Sequence, residues 1–177
     1  MLVAKTMLLP VALFFAFLPP AFSAGDTLPM LKGEFLDGKE VELPSAAQGK
    51  VALLALGFSH DSKAAVDGWT KRFRADFGKD PQVTYYEIPM IGGAGAMAKP
   101  FILGGMRKDT PKEDYEHVIP VFGGAGFWKE RLRFKEEKAA YLILLGQESV
   151  IRWVGHGFVD DAKYGELAEV VRRLLGK

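Results

Sequence analysis

Apolar residues fall along this chain in runs whose lengths and periods separate strands from helices. VALLALGF, 51–58, is continuously apolar and of strand length, as expected for a strand buried on both faces at the centre of a sheet. Just before it, LKGEFLDGKEVELP places Asp37-Gly38 between two short apolar stretches, which predicts a hairpin because glycine accepts the positive φ of a tight turn. After it, Val66, Trp69, Phe73 and Phe77 recur three and four residues apart. They predict a helix that Ser59 or Ser62 could cap and that ends at Gly78. VTYYEIPM, 83–90, is rich in β-branched and aromatic residues, so a strand-helix-strand unit with parallel pairing is expected.

The second half continues in the same way. Thr110-Pro111-Lys112-Glu113 has the form of a capping box with proline at the first helical position, which predicts a short helix leading into HVIPVF as a third parallel strand. FWKERLRF suits a short helix. AYLILL and VIRWVG, separated by GQES, predict an antiparallel hairpin in which Ile151 and Trp153 share a face and Arg152 is exposed. Asp160 or Asp161 then caps a closing helix with Tyr164, Leu167, Val170, Val171, Leu174 and Leu175 on its apolar side. The stretch 91–106 is apolar, Gly-rich and interrupted by Pro100, and reads as loop and helix. Its small residues favour burial beneath a loop over exposure to a partner or membrane. The fold class is therefore α/β, a mixed sheet flanked by helices.

The first apolar run is of a different kind. MLLPVALFFAFL, 7–18, has signal-peptide length, Lys5 is the only charge before Asp26, and Ala21 and Ser23 stand three and one positions before a cut after Ser23. It is too short to span a bilayer comfortably. The expected organisation is a signal peptide over 1–23 and one domain over 26–177, exported to the periplasm or an equivalent compartment. An uncleaved segment would anchor the domain to the inner membrane.

Composition narrows the function. The 177 residues are 49% hydrophobic and 25% charged, as in ordinary globular domains. Without residues 1–23 the basic and acidic residues are equal in number, so no net field draws in nucleic acid or anionic lipid. There is no cysteine, so an export compartment that permits disulfides finds no thiol to oxidise.

These segments carry a family likeness. LDGKEVELPSAAQGKVALLALGF resembles the opening of exported thioredoxin-like and peroxiredoxin-like proteins, in which the next turn holds a CxxC pair or a peroxidatic cysteine. Here that turn is Ser59-His60-Asp61-Ser62. Taken together, LLALGFSHDSKAAVDGWTKRF, VTYYEIPM, RKDTPKEDYEHVIPVFG and AYLILLGQESVIRWVGHGF resemble the mitochondrial ATP-synthase assembly factor family. The likeness covers most of 51–157. It implies a thioredoxin-like fold and a role in assembling the membrane F0 sector, hence a protein partner drawn from a membrane complex. Two departures are visible. The N-terminus is Arg-free and suits a bacterial secretory signal better than a transit peptide, and Lys138-Ala139-Ala140-Tyr141 lacks the cis-proline that thioredoxin-like enzymes place before the strand facing their thiols.

Ser59, His60 and Asp61 stand where ligands often bind in open α/β sheets, but neighbours in sequence point apart, and a helix-capping turn explains them better than a catalytic triad. His60, His117 and His156 lack the spacing that would put two metal ligands on one face. GGAGAM and GGAGFW lack a phosphate-binding pattern. No catalytic residue, metal or cofactor is expected. The binding candidates are Ser59, His60, Asp61, Arg107 and Arg152, the last resting on the family likeness. Membrane contact would come only from an uncleaved signal segment or from residues 91–106, where Arg107-Lys108 adds a weak basic run. The leading expectation is a redox-inactive binding or assembly module. The alternative is an enzyme, or a metal- or haem-handling protein, that uses the thioredoxin cleft without thiols.

Overall fold

The computed structural model describes residues 21–177, the side chains of 94–96 excepted, so most of the expected signal segment lies outside the described residues. Leu31–Glu34 (β1) and Glu40–Leu43 (β2) pair antiparallel, with Leu31 opposite Leu43 and Glu34 opposite Glu40. The expected turn closes them: Gly38 has a φ of +94° and the Asp37 carboxylate accepts from the Lys39 N–H at 3.0 Å.

Five further strands make the main sheet. They are Val51–Gly57 (β3), Val83–Ile91 (β4), Val121–Phe122 (β5), Ala140–Leu145 (β6) and Ile151–Gly157 (β7), in the order β5-β4-β3-β6-β7. β3, β4 and β5 run parallel, while β6 is antiparallel to both β3 and β7. Every residue of β3 is buried, because the sheet is covered on both faces. Alternate residues divide between two cores. Leu53 and Ala55 meet Trp69, Phe73 and Phe77 of Lys63–Phe77 (α1), together with Tyr164, Leu167 and Val171 of Asp161–Leu174. Leu54 and Leu56 face Leu31, Val41 and Leu43 of the hairpin, and Trp128 of Ala125–Arg131. Each large apolar side chain so enclosed contributes about 1.5–3 kcal/mol.

In chain order the remaining helices are Lys99–Asp109 (α2), Ala125–Arg131 (α3) and Asp161–Leu174 (α4). The Asp160 carboxylate accepts from the Lys163 N–H at 2.9 Å and caps α4 as expected. At α1 the cap is displaced by one short turn. Ser59 caps a 3-10 turn over His60–Ser62 that feeds the helix, and Ser62 makes no side-chain cap.

Three local expectations are corrected. Thr110 caps no helix N-terminus: it is the extended residue that ends α2, as residues before proline tend to be, and Pro111 opens a 3-10 turn over Lys112–His117. Pro100 does not interrupt 91–106 but sits in the first turn of α2, where its missing N–H leaves no helical bond unmade. Nor is that segment buried. Within α2 only Leu103 is buried, against Leu36 and Val118, while Phe101 is 86% and Met97 95% exposed. Leu103 fastens the helix to the domain, while Gly104 and Gly105 face open space.

The C-terminal hairpin holds a subtler difference. Leu144 pairs with Trp153 and Leu145 with Ile151, so Arg152 is the extra residue of a β-bulge. The bulge breaks the two-residue alternation. Ile151 packs in the hairpin-side core and Trp153 against the α1 and α4 side, on opposite faces. Arg152 is exposed as expected, but because of the bulge.

Candidate functional site

Ser59, His60, Asp61 and Ser62 form the turn where β3 ends and α1 begins. Ser59 Oγ donates to the Glu137 carbonyl at 2.7 Å and accepts from the Ser62 N–H at 3.2 Å. Ser62, which is buried, returns its hydroxyl to the Ser59 carbonyl at 2.7 Å. Both hydroxyls are thus spent in shaping the turn. His60 and Asp61 are exposed.

Beside this turn, α1 and α2 frame a groove of about 410 Å³. Gly57, Val66, Pro89 and Val118 contribute its apolar base, and Phe101, Ile102 and Met106 contribute the α2 side. Ser59 and His60 line it, whereas Asp61, Arg107 and Arg152 do not. Arg107 instead donates from Nε to the Leu36 carbonyl at 2.7 Å, tying α2 to the loop of the hairpin. Arg152 lies on the edge strand β7 and is paired with Glu148. The five candidate residues therefore do not form one site.

A smaller and more polar recess of about 260 Å³ adjoins the groove, and Glu87 lines both. Its carboxylate accepts from Thr70 Oγ1 at 2.7 Å. Burial pushes the Glu87 carboxyl up from its ordinary value; the Thr70 hydrogen bond opposes this, while the Asp67 and Asp114 charges add to it. In the recess, burial and the Asp114 charge push the Tyr85 phenol up to about 12. Glu87 is the residue that sequence reasoning missed. The signal was there: a carboxylate in the middle of a strand whose neighbours are apolar, on the same face as Tyr85 and Pro89.

The three histidines stand apart. His117 Nδ1 donates to the Tyr85 carbonyl at 3.0 Å and its ring stacks on that tyrosine, while His156 stacks on Tyr141. Among the described residues no group of three or more His, Cys, Asp or Glu side chains is arranged to hold a metal ion. Where a cis-proline would precede β6, Ala139 and Ala140 are buried instead. The loop ahead of them is held by the Tyr141 hydroxyl, which accepts from the Lys135 and Glu136 N–H groups at 2.8 and 3.0 Å.

The family model described as ATP10 protein matches residues 17–174, nearly the whole chain. The chain belongs to the ATP10 protein family. This is the ATP-synthase assembly family whose likeness the sequence carries, and it makes the chain an assembly module that works with a protein partner. Among curated proteins no relative matches. Solved structures share the fold at low identity. A putative thiol:disulfide interchange protein DsbE from Chlorobium tepidum aligns with a TM-score of 0.60 at 15% identity, over 88% of this chain and 99% of its own. A putative protein disulfide isomerase from Bacteroides thetaiotaomicron reaches 0.62 at 16%, over 88% and 91%. BsSco, a member of the Sco family of cytochrome c oxidase assembly proteins, reaches 0.58 at 15%, over 85% and 97%. These likenesses establish a thioredoxin-like fold, carried in this ATP10-family chain without a thiol.

Proposed function

We propose that this protein is an exported, redox-inactive assembly module that binds a subunit of a membrane complex, the F0 sector of an ATP synthase. The observation that carries the proposal is the ATP10 family match over 17–174 in a chain with no cysteine. Disulfide exchange needs an attacking thiolate, and the turn that would carry it holds Ser59 and Ser62, whose hydroxyls are committed to backbone partners. Binding is what such a scaffold retains. Export is supported by the apolar run at 7–18 and the small residues after it. Ser59 and His60 belong to the contact surface in this proposal, and Arg107 acts by holding α2 in place.

Photo-crosslinking of the full-length protein in native membranes tests this. The expected result is recovery of an F0 subunit and a deficit of assembled F0 in a deletion strain. Recovery of no membrane-complex subunit would overturn it. Insulin reduction and peroxide consumption are expected at background, and an activity abolished by His60→Ala would establish an enzyme instead.

A further inference from the structure

The groove between α1 and α2 combines two properties that bear on what it could hold. Its base and α2 side are apolar, and that surface continues outward onto Phe101, 86% exposed. Met97, just ahead of α2, is also exposed. A small molecule enclosed in about 410 Å³ would not use this outer apolar surface, whereas a polypeptide lying along α2 would.

The second property is charge. Three carboxylates line the groove, Asp67, Glu87 and Asp109, against one cation, Lys63. Lys63 is already engaged: its Nζ lies 2.8 and 2.9 Å from the two Asp67 oxygens. Glu87 has the Thr70 hydroxyl, and among the described residues neither Glu87 nor Asp109 forms an ion pair. Glu87 is partly buried, and Lys63, whose charge acts on it, is already held by Asp67, while Asp109 is exposed and unpaired, so an incoming positive charge is favoured there over a neutral or negative one.

We propose that this groove takes an apolar peptide segment carrying one basic side chain, the apolar residues resting on Phe101, Ile102 and Val66 and the cation pairing with Glu87 and Asp109. The proposal rests on the assembly reading only in taking the occupant to be a polypeptide. It adds the place and the chemistry of recognition. The Leu103 contact and the Arg107 bond to Leu36 hold α2 at the position that frames the groove.

The test uses the full-length protein in mild detergent and short fluorescein-labelled peptides of Leu and Ala, with polar ends and a central Arg, Gln or Glu, read by fluorescence anisotropy. The Arg peptide is expected to bind about tenfold more tightly than the Glu peptide, a preference that weakens with salt. The double variant Glu87→Gln, Asp109→Asn should bring that ratio close to one. Phe101→Ser should weaken all three peptides by roughly fivefold or more. Because Phe101 is exposed, its replacement should leave the thermal melt unchanged and so report on binding alone.

Equal binding of the Arg and Glu peptides would overturn the proposal. So would a fluorescent fatty acid occupying the groove in place of any peptide, or a homodimer that Phe101→Ser dissolves in sedimentation. Failure here is separable from failure of the F0 reading. If crosslinking recovers an F0 subunit while the peptides show no charge preference, the groove assignment falls and the assembly role stands. If the Arg preference and its loss in the double variant are seen but no membrane-complex subunit crosslinks, the groove stands and the F0 partner falls.

Discussion

Thr70 and Glu87 meet between α1 and β4, hydroxyl to carboxylate at 2.7 Å, at the junction of the groove and the polar recess. The same hydroxyl lies 3.1 Å from the Val66 carbonyl, an alternative acceptor one helical turn back. A helix side chain thus holds a strand carboxylate that burial disfavours as an anion.

This sets a pH dependence. The folded-state pKa of Glu87 is raised above its unfolded value, chiefly by burial. The folded protein therefore favours the protonated form. Its contribution is fully present below the unfolded pKa and is lost as pH rises through the folded one. Glu87→Gln should melt at a higher temperature than the parent at pH 8, with the difference closing as pH falls towards 4. Thermal melts at several pH values check this, and a gap that widens in acid would contradict it. Thr70→Val removes the hydroxyl donor and should destabilise by about 1–3 kcal/mol at pH 8.

The Tyr141 hydroxyl provides a second prediction. It accepts from two successive backbone N–H groups, those of Lys135 and Glu136, and the Tyr141 side chain is buried within an aromatic cluster with Phe58 and Phe134. Tyr141→Phe keeps the ring and deletes the acceptor. The expected cost is about 1–3 kcal/mol, with faster hydrogen exchange at the amides of Lys135 and Glu136 and unchanged exchange in β3.

A third concerns Gly155 and Trp153. The bulge at Arg152 turns the Trp153 indole so that it lies against Gly155, and a Cβ there would be driven into the ring. Gly155→Ala should destabilise by about 1–3 kcal/mol through overpacking and should change the Trp153 environment, which packs beside Trp69 at a ring separation of 6.0 Å. Chemical denaturation followed by tryptophan emission reads both effects.

These residues also mark where the sequence was legible. β3 could be read because a strand covered on both faces must be apolar throughout, and α1 because Val66, Trp69, Phe73 and Phe77 repeat at helical spacing and all pack inward. The face assignment in β7 failed because alternation holds only in an unbroken ladder, and one inserted residue reverses it. The stretch 91–106 failed for a different reason. Apolar composition is the same for a helix that is buried and for one that lies exposed, and only its placement shows Phe101 uncovered. Of the candidate site, Ser59 and His60 were legible because they stand in the turn that ends the central strand, where ligands often bind in open α/β sheets. Glu87 was not, since a lone strand carboxylate marks a site only when packing shows that it faces a groove rather than water.

The final prediction concerns the start of the domain. Phe22 is 6% exposed: its ring packs 5.8 Å from that of Trp128, the Arg131 guanidinium lies 4.4 Å from its centroid, and its N–H donates to the Arg131 carbonyl at 3.0 Å. A cut after Ser23 would remove Phe22 and open the Trp128 side of the core to water. The side chain is large enough that Phe22→Ala should cost about 3 kcal/mol if the residue is retained. If the apolar segment is a cleaved signal, a cut after Ser23 deletes this contact and a cut upstream of Phe22 keeps it. Intact-mass measurement of the protein from its native host decides the matter. A mass corresponding to a chain that begins at Ala24 would show that the domain folds without this clamp, and Phe22→Ala would then leave the melting temperature of the processed protein unaltered.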